Sequence, residues 1–134
     1  MAKESGLGMS VIVDDSGGSA RTISNDITNL DFATPRDTQD ITGIDKSARE
    51  TLLTLADASV TLNGIFNDAS NMSHDVYKTV PSTSVARTTT IGLSGQTLAM
   101  ELNYTDYSIS RSTAGEVPWT STGVLAGGAV PTWA

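Results

Sequence analysis

A chain of 134 residues suits one domain with one modest core, burying about two thirds of the surface its unfolded form exposes. Its 8 Lys+Arg against 15 Asp+Glu leave a formal net charge of -7, which repels a phosphate backbone. Aromatic residues are only 5% of the chain, which leaves few platforms for unpaired bases, so a nucleic-acid grip is not expected. With no cysteine, disulfides, thiolate metal sites and cysteine nucleophiles are excluded as well, and 19 Thr, 16 Ser and 12 Gly suit solvated strands and tight turns, so the class is mainly β.

Met1 to Gly8 contains Lys3 and Glu4 but no apolar h-region, and no apolar run is long enough to cross a bilayer as a helix. A soluble chain without membrane anchoring, made in the cytoplasm, is expected, with residues 1–8 a flexible arm unless a neighbour orders it. Met9, Val11 and Val13 alternate with Ser10 and Ile12 as a strand, Asp14-Asp15-Ser16-Gly17-Gly18 is turn chemistry, and Arg21 to Ile23 returns as the second arm of a hairpin. An extended piece follows over Ile27 to Phe32. From Ala33 to Thr51 the chain is charged and without apolar period, which predicts a long loop, functional if it contacts another subunit.

Between Ala58 and Asn67, Val60, Leu62 and Phe66 share one face and Ser59, Thr61 and Asn63 the other, the pattern of a half-buried strand. Met72, Val76 and Val80 fall four apart, predicting a helix over 70–80 with Ser70 or Asn71 as N-cap and Pro81 as its stop. Arg87 to Leu93 is a strand, and Ser94-Gly95-Gln96 turns it into the longest one. There Leu98, Met100, Leu102 and Tyr104 oppose Ala99, Glu101, Asn103 and Thr105. The apolar phase then shifts to Tyr107 and Ile109, which predicts a β-bulge, or a change of buried side, near Thr105-Asp106. Val117 to Leu125 offers a further strand carrying Trp119. The Gly-rich tail, residues 126–134, ends in Trp133, which is expected to dock on its own core or on a neighbour.

No constellation for chemistry assembles. His74 is the only histidine and reads as a surface helix residue; no Gly-x-Ser-x-Gly occurs. Asp14-Asp15 and Asp37, Asp40 and Asp45 suggest hard-cation ligands but lack the alternate spacing of an EF-hand loop, so they read as turn and loop charge, and no metal or cofactor is expected. The sequons at Asn71 and Asn103 read as chance matches in a Ser/Thr-rich chain.

The run Ile41-Thr42-Gly43-Ile44-Asp45-Lys46-Ser47-Ala48-Arg49-Glu50-Thr51-Leu52, and above all Asp57-Ala58-Ser59-Val60-Thr61-Leu62-Asn63-Gly64-Ile65-Phe66-Asn67, resembles the major tail tube proteins of long-tailed bacteriophages. In that family a similar strand leads into a short helix and a long β-hairpin, the order read here from Ser70 to Arg111. The likeness spans about Gly8 to Leu125. It implies one tail-tube-like domain over residues 1–134, a β-sandwich or barrel of two packed antiparallel sheets with one flanking α-helix. Six copies would form a ring with a continuous inner β-barrel, and rings would stack into a tube through which DNA passes. Inner tubes of contractile injection and type VI secretion systems are similar.

The resemblance implies no enzyme, a place in the virion tail, and as partners the chain itself with tape-measure, terminator and distal tail proteins, DNA being present only in transit. On this reading Ser59, Thr61, Asn63, Glu101, Asn103 and Thr105 are the candidates for lining the lumen, where a ring carrying six times the chain's charge lets DNA slide. Arg36, Asp37, Asp40, Asp45, Lys46, Arg49 and Glu50 are the candidates for ring stacking. The rivals are a head decoration or head-tail connector protein, and a monomeric carbohydrate-binding sandwich, which would need a row of exposed aromatics.

Overall fold

A computed structural model describes residues 5–134. Strand β1 (Ser10–Asp14) and β2 (Ala20–Thr22) form the first hairpin. Its turn is tied by one carboxylate: Asp15 accepts the N–H groups of Gly17 (2.9 Å) and Ser19 (3.0 Å) and the Arg21 Nε (3.1 Å). Asp15 is therefore a turn residue, and the Ser19 bond leads in holding its pKa below the usual aspartate value.

The remaining strands are β3 (Ile27–Ala33), β4 (Arg36–Asp40), β5 (Thr51–Ala56), β6 (Ser59–Ile65), β7 (Arg87–Leu93), β8 (Gln96–Ile109), β9 (Pro118–Leu125) and β10 (Thr132–Trp133). Eight of the ten strands among the described residues form one antiparallel sheet, in the order β2-β1-β7-β8-β9-β6-β3 with β10 added beside β8, while β4 and β5 form a separate ribbon. At 14 residues β8 serves two layers: Gln96 to Leu102 pairs with β7, and Leu102 to Ile109 pairs with β9. The register shifts between Tyr104 and Asp106, the bulge that the change of apolar parity predicts, and it re-aims the strand without stranding a hydrophobic face in water.

The inward side chains of both layers meet in one core. Val11, Val13, Ile91, Leu98 and Met100 come from the first layer, and Leu102, Tyr104, Trp119, Val60 and Leu62 from the second. The short helix α1 (Ser73–Tyr77) plugs this core with Val76 and Tyr77. The Tyr77 ring lies 5.1 Å from Tyr104, 5.6 Å from Tyr107 and 5.3 Å from Trp119. Burial pushes the Tyr77 and Tyr104 phenols above their ordinary pKa; the Tyr104 hydroxyl bonds Thr89 at 2.7 Å.

Four expectations are corrected here. The helix spans five residues where 70–80 was expected, because Asn71 takes a left-handed φ of 67° and cannot begin a helix. Met72 stands at the N-cap without a side-chain bond, and beyond Tyr77 the chain continues as turns. Residues 33–51 are no loop: they contain β4 and the start of β5, and the intervening turn is pinned by Ile41 N–H to the Glu50 carbonyl at 3.1 Å. Both faces of that ribbon are exposed, and alternation marks a strand only when one face is buried. Phe66 is half-buried outside the core, with its ring 4.8 Å from His74. That histidine, expected to be a solvated helix residue, is instead half-buried, and its Nδ1 lies 3.2 Å from the Tyr107 hydroxyl. Within the tail, Trp133 docks through β10, its ring 6.0 Å from Phe32. Of the expected N-terminal arm, residues 1–4 lie outside the described part, and residues 5–8 are exposed.

Two internal polar groups hold the layers in place. Arg87 is buried, and its guanidinium donates to the Val76 carbonyl, to Thr79 Oγ1 (2.9 Å) and to the Asp14 carbonyl (3.4 Å), so a cation satisfies one carbonyl in the last turn of α1 and ties it to β1. Asp26, also buried, accepts the Asn67 side-chain amide (2.8 Å) and the Ser73 N–H (3.0 Å), joining the turn before β3 to the start of α1.

Candidate assembly surfaces

The outward face of the second layer is built by alternation in β3, β6, β9 and β8. Register places Asn29, Asn63, Thr120 and Ser108 in one row, Asp31, Thr61, Thr122 and Asp106 in the next, and Ala33, Ser59, Val124 and Asn103 in a third. Ser59, Thr61, Asn63 and Asn103 thus share one surface. Glu101 continues it onto the first layer, where Thr88 donates to its carboxylate. Thr105 sits in the bulge and donates to the Thr122 carbonyl at 3.4 Å. Side-chain bonds such as Thr120 to Asn63 at 2.8 Å occupy the face internally. None of the four strands contains Lys or Arg, so its only charges are the carboxylates of Asp31, Glu101 and Asp106. The β9 members Thr120 and Thr122, overlooked in the sequence reading, were legible there as the polar partners of Trp119 and Ser121.

Arg36, Asp37 and Asp40 lie on β4 and Asp45, Lys46, Arg49 and Glu50 in the turn of the ribbon, all exposed. Several are engaged locally. Arg36 donates to the Thr54 carbonyl from Nε (3.2 Å) and Nη2 (2.7 Å), and Lys46 stands 4.0 Å from Glu50. Asp40 accepts from Thr42 Oγ1 (2.6 Å) and the Thr42 N–H (3.0 Å), and the hydroxyl bond leads in lowering its pKa. The larger feature is apolar: Leu52, Leu53 and Leu55 are 53%, 56% and 80% exposed. Leu53 and Leu55 fall on one side of β5 and Leu52 on the other, so both faces of the ribbon offer apolar surface. An isolated two-stranded ribbon is marginal in water. Its feet are joined at the Asp57 N–H to Pro35 carbonyl bond, 2.9 Å.

Trp119 is buried and Trp133 lies beside Phe32, so these two form no row of exposed aromatics. Among the described residues no group of three or more His, Asp or Glu side chains converges, and no helix is long and apolar enough to cross a membrane.

The class this architecture defines is a two-layered antiparallel β fold with a projecting ribbon and, among the described residues, a single short α-helix. No protein-family model matches the chain, and no curated protein does. Among solved structures it is similar to a chain of the tail of an empty gene transfer agent particle, computed with helical refinement in C6 symmetry. The TM-score is 0.81 at 17% identity, over 98% of this chain and 99% of that one. It is likewise similar to a chain of the virion of a native gene transfer agent particle, with a TM-score of 0.80 at 16% identity over 98% and 99% of the two chains. The fold is therefore shared end to end with chains of gene transfer agent particles.

Proposed function

We propose that this chain is a structural subunit of a phage-like tail tube: six copies form a ring, rings stack, and DNA passes through the bore on its way to a host. The observation that carries this reading is the full-length likeness to a chain of a tail with C6 symmetry. The surfaces add physical support. A face of threonine, serine and asparagine with carboxylates as its only charges suits a lumen along which a phosphate backbone slides without counterion release. Ser59, Thr61, Asn63, Glu101, Asn103 and Thr105 line it on this reading. The two-faced ribbon, with Arg36, Asp37, Asp40, Asp45, Lys46, Arg49 and Glu50, reaches the next ring, where its leucines find cover.

The role is structural, not enzymatic, and needs no cofactor. The protein acts in the virion tail after assembly in the host cytoplasm, meeting tape-measure, terminator and distal tail proteins at the ends of the tube. Negative-stain microscopy of the pure protein tests the proposal. Open tubes or stacked six-fold rings are expected; a monomer at high concentration by light scattering, or trimers, would overturn it.

A further inference from the structure

The second layer has two open edges, and their backbone directions follow from bonds already made. Ser110 N–H donates to the Pro118 carbonyl at 3.1 Å, so Ser110 faces β9, and by alternation Ser108 and Asp106 do as well. Tyr107 and Ile109 therefore turn their N–H and C=O groups away from β9. There β8 has no strand partner among the described residues, since β7 reaches only Leu102. That side opens on a groove whose far wall is His74, Lys78, Val80 and Pro81. At the other end of the layer β3 pairs only with β6 among the described residues, and the Leu30 N–H is met by the side-chain oxygen of Asn29 at 3.0 Å. Leu30 and Phe32 thus face the open edge of β3.

Resting on the ring proposed above, we infer that β3 of one copy pairs with the second half of β8 of the next in a single register, Leu30 opposite Ile109, Asp31 opposite Ser108, Phe32 opposite Tyr107 and Ala33 opposite Asp106. Direction comes first. The four strands β8, β9, β6 and β3 alternate, so the two edges run oppositely, and rotating a copy about the ring axis brings them together antiparallel. Regularity comes next. The usable stretch of β8 begins after its bulge, at Asp106, and that of β3 begins after the irregularity between Ile27 and Asn29; this register joins Leu30–Ala33 to Asp106–Ile109 without touching either defect.

Charge decides against the neighbouring alternative. A slip of two residues keeps every side chain on its own face but sets Asp31 directly opposite Asp106, a like-charge pair across the junction, and draws Thr28 into the irregular part of β3. A slip the other way leaves only Phe32 and Ala33 of β3 facing Ile109 and Ser108. The chosen register also covers Ile109, 46% exposed in the single chain, with Leu30. The occupant of the β8 groove is thus a second copy of this chain.

The chain has no cysteine, so a pair introduced at Asp31→Cys and Ser108→Cys reports on this junction alone. The two positions form a non-hydrogen-bonded pair, with Cα atoms about 4.5 Å apart, within disulfide reach. Oxidised assemblies of D31C/S108C should run on a non-reducing gel as a ladder ending in a closed multimer, whereas D31C/D106C should stay at least tenfold less cross-linked. A ladder from D31C/D106C in place of D31C/S108C would overturn the register. No ladder from either variant in tubes seen by microscopy would overturn the edge pairing while leaving the tube intact; absence of rings or tubes from the unmodified chain is what would sink the functional reading instead. Should the variants not assemble, hydrogen exchange on the unmodified protein decides: the amides of Leu30, Phe32, Tyr107 and Ile109 should slow at least tenfold on assembly, and unchanged exchange there would overturn the pairing.

Discussion

Replacing Gly64 by alanine tests how the fold is held, because this glycine is where a turn, a strand and the largest core side chain converge. A Cβ at position 64 would fall well inside contact of the Asp26 carbonyl oxygen and 2.7 Å from the Trp119 ring. The first neighbour is backbone, and the second is a fully packed indole whose Nε1 donates to the Ile65 carbonyl at 3.1 Å. Neither can rotate away. Overpacking of this kind costs about 1–3 kcal/mol, and loss of the indole bond adds about 1 kcal/mol, so a destabilisation of about 3 kcal/mol is expected. For a chain of this length that is roughly a 10 °C fall in Tm. Gly92→Ala is the control. Its Cβ also meets an atom too closely, but that atom is the hydroxyl oxygen of Ser10, the end of a side chain that can turn, so a cost under about 1 kcal/mol is expected. Thermal and urea melts followed by tryptophan fluorescence at one fixed protein concentration separate the two effects from mass action. Equal losses for the two variants, or a Gly64→Ala protein as stable as the parent, would refute the packing argument.

Excising Arg36–Ala56 and joining Pro35 to Asp57 through two glycines should leave Tm within a few degrees, since the ribbon's feet already touch and its residues contribute little to the core; tubes should be lost by microscopy. Acid should loosen the fold in a defined window. The pKa of Asp15 is lowered by its Ser19 bond first, and that of Asp75 by its Asn71 N–H bond first, so their contribution is fully present above the ordinary carboxylate pKa of about 4 and is lost as pH falls through the depressed folded values; denaturant midpoints should therefore hold from pH 7 to 5 and drop below pH 4. Thr122→Lys sets a cation in the middle of the polar face in every copy. Its tubes should retain short duplex DNA at low salt and release it at high salt, while parent tubes retain none by co-sedimentation.

Period-two alternation made most of this legible. Leu98, Met100, Leu102 and Tyr104 against Ala99, Glu101, Asn103 and Thr105 gave the long strand and its buried face, and Tyr107 and Ile109 marked the phase change, a bulge or a change of side, that the register resolves as a bulge. The same rule fails where burial is not one-sided. Strands β4 and β5 are exposed on both faces, so the amino-acid order there carries no imprint of the chain's own core. The helix was placed by Met72, Val76 and Val80, but its length was set by a left-handed Asn71, and its fixation by Arg87, a residue that reads as the solvated start of a strand. A buried guanidinium answering carbonyls from two distant segments leaves no local pattern. The polar face was legible in residue type on β6 and β8. Its assembly into rows required the register of β9, which lies more than fifty residues from β6.

The segment that first suggested the family turns out to hold no assembly chemistry on its inward side. Val60 and Leu62 are core, Gly64 makes room for Trp119, Phe66 lies against His74 and Asn67 binds the buried Asp26 carboxylate. Each of these is a demand of the single chain's own packing. In the assembly proposed above the outward positions would answer to looser demands: the polar face to be free of cations, the ribbon leucines to be apolar, and the edges to carry a few charges that forbid the wrong register. The fold is shared over 98% of this chain at 17% identity, as expected where the packing of a minority of positions decides an architecture.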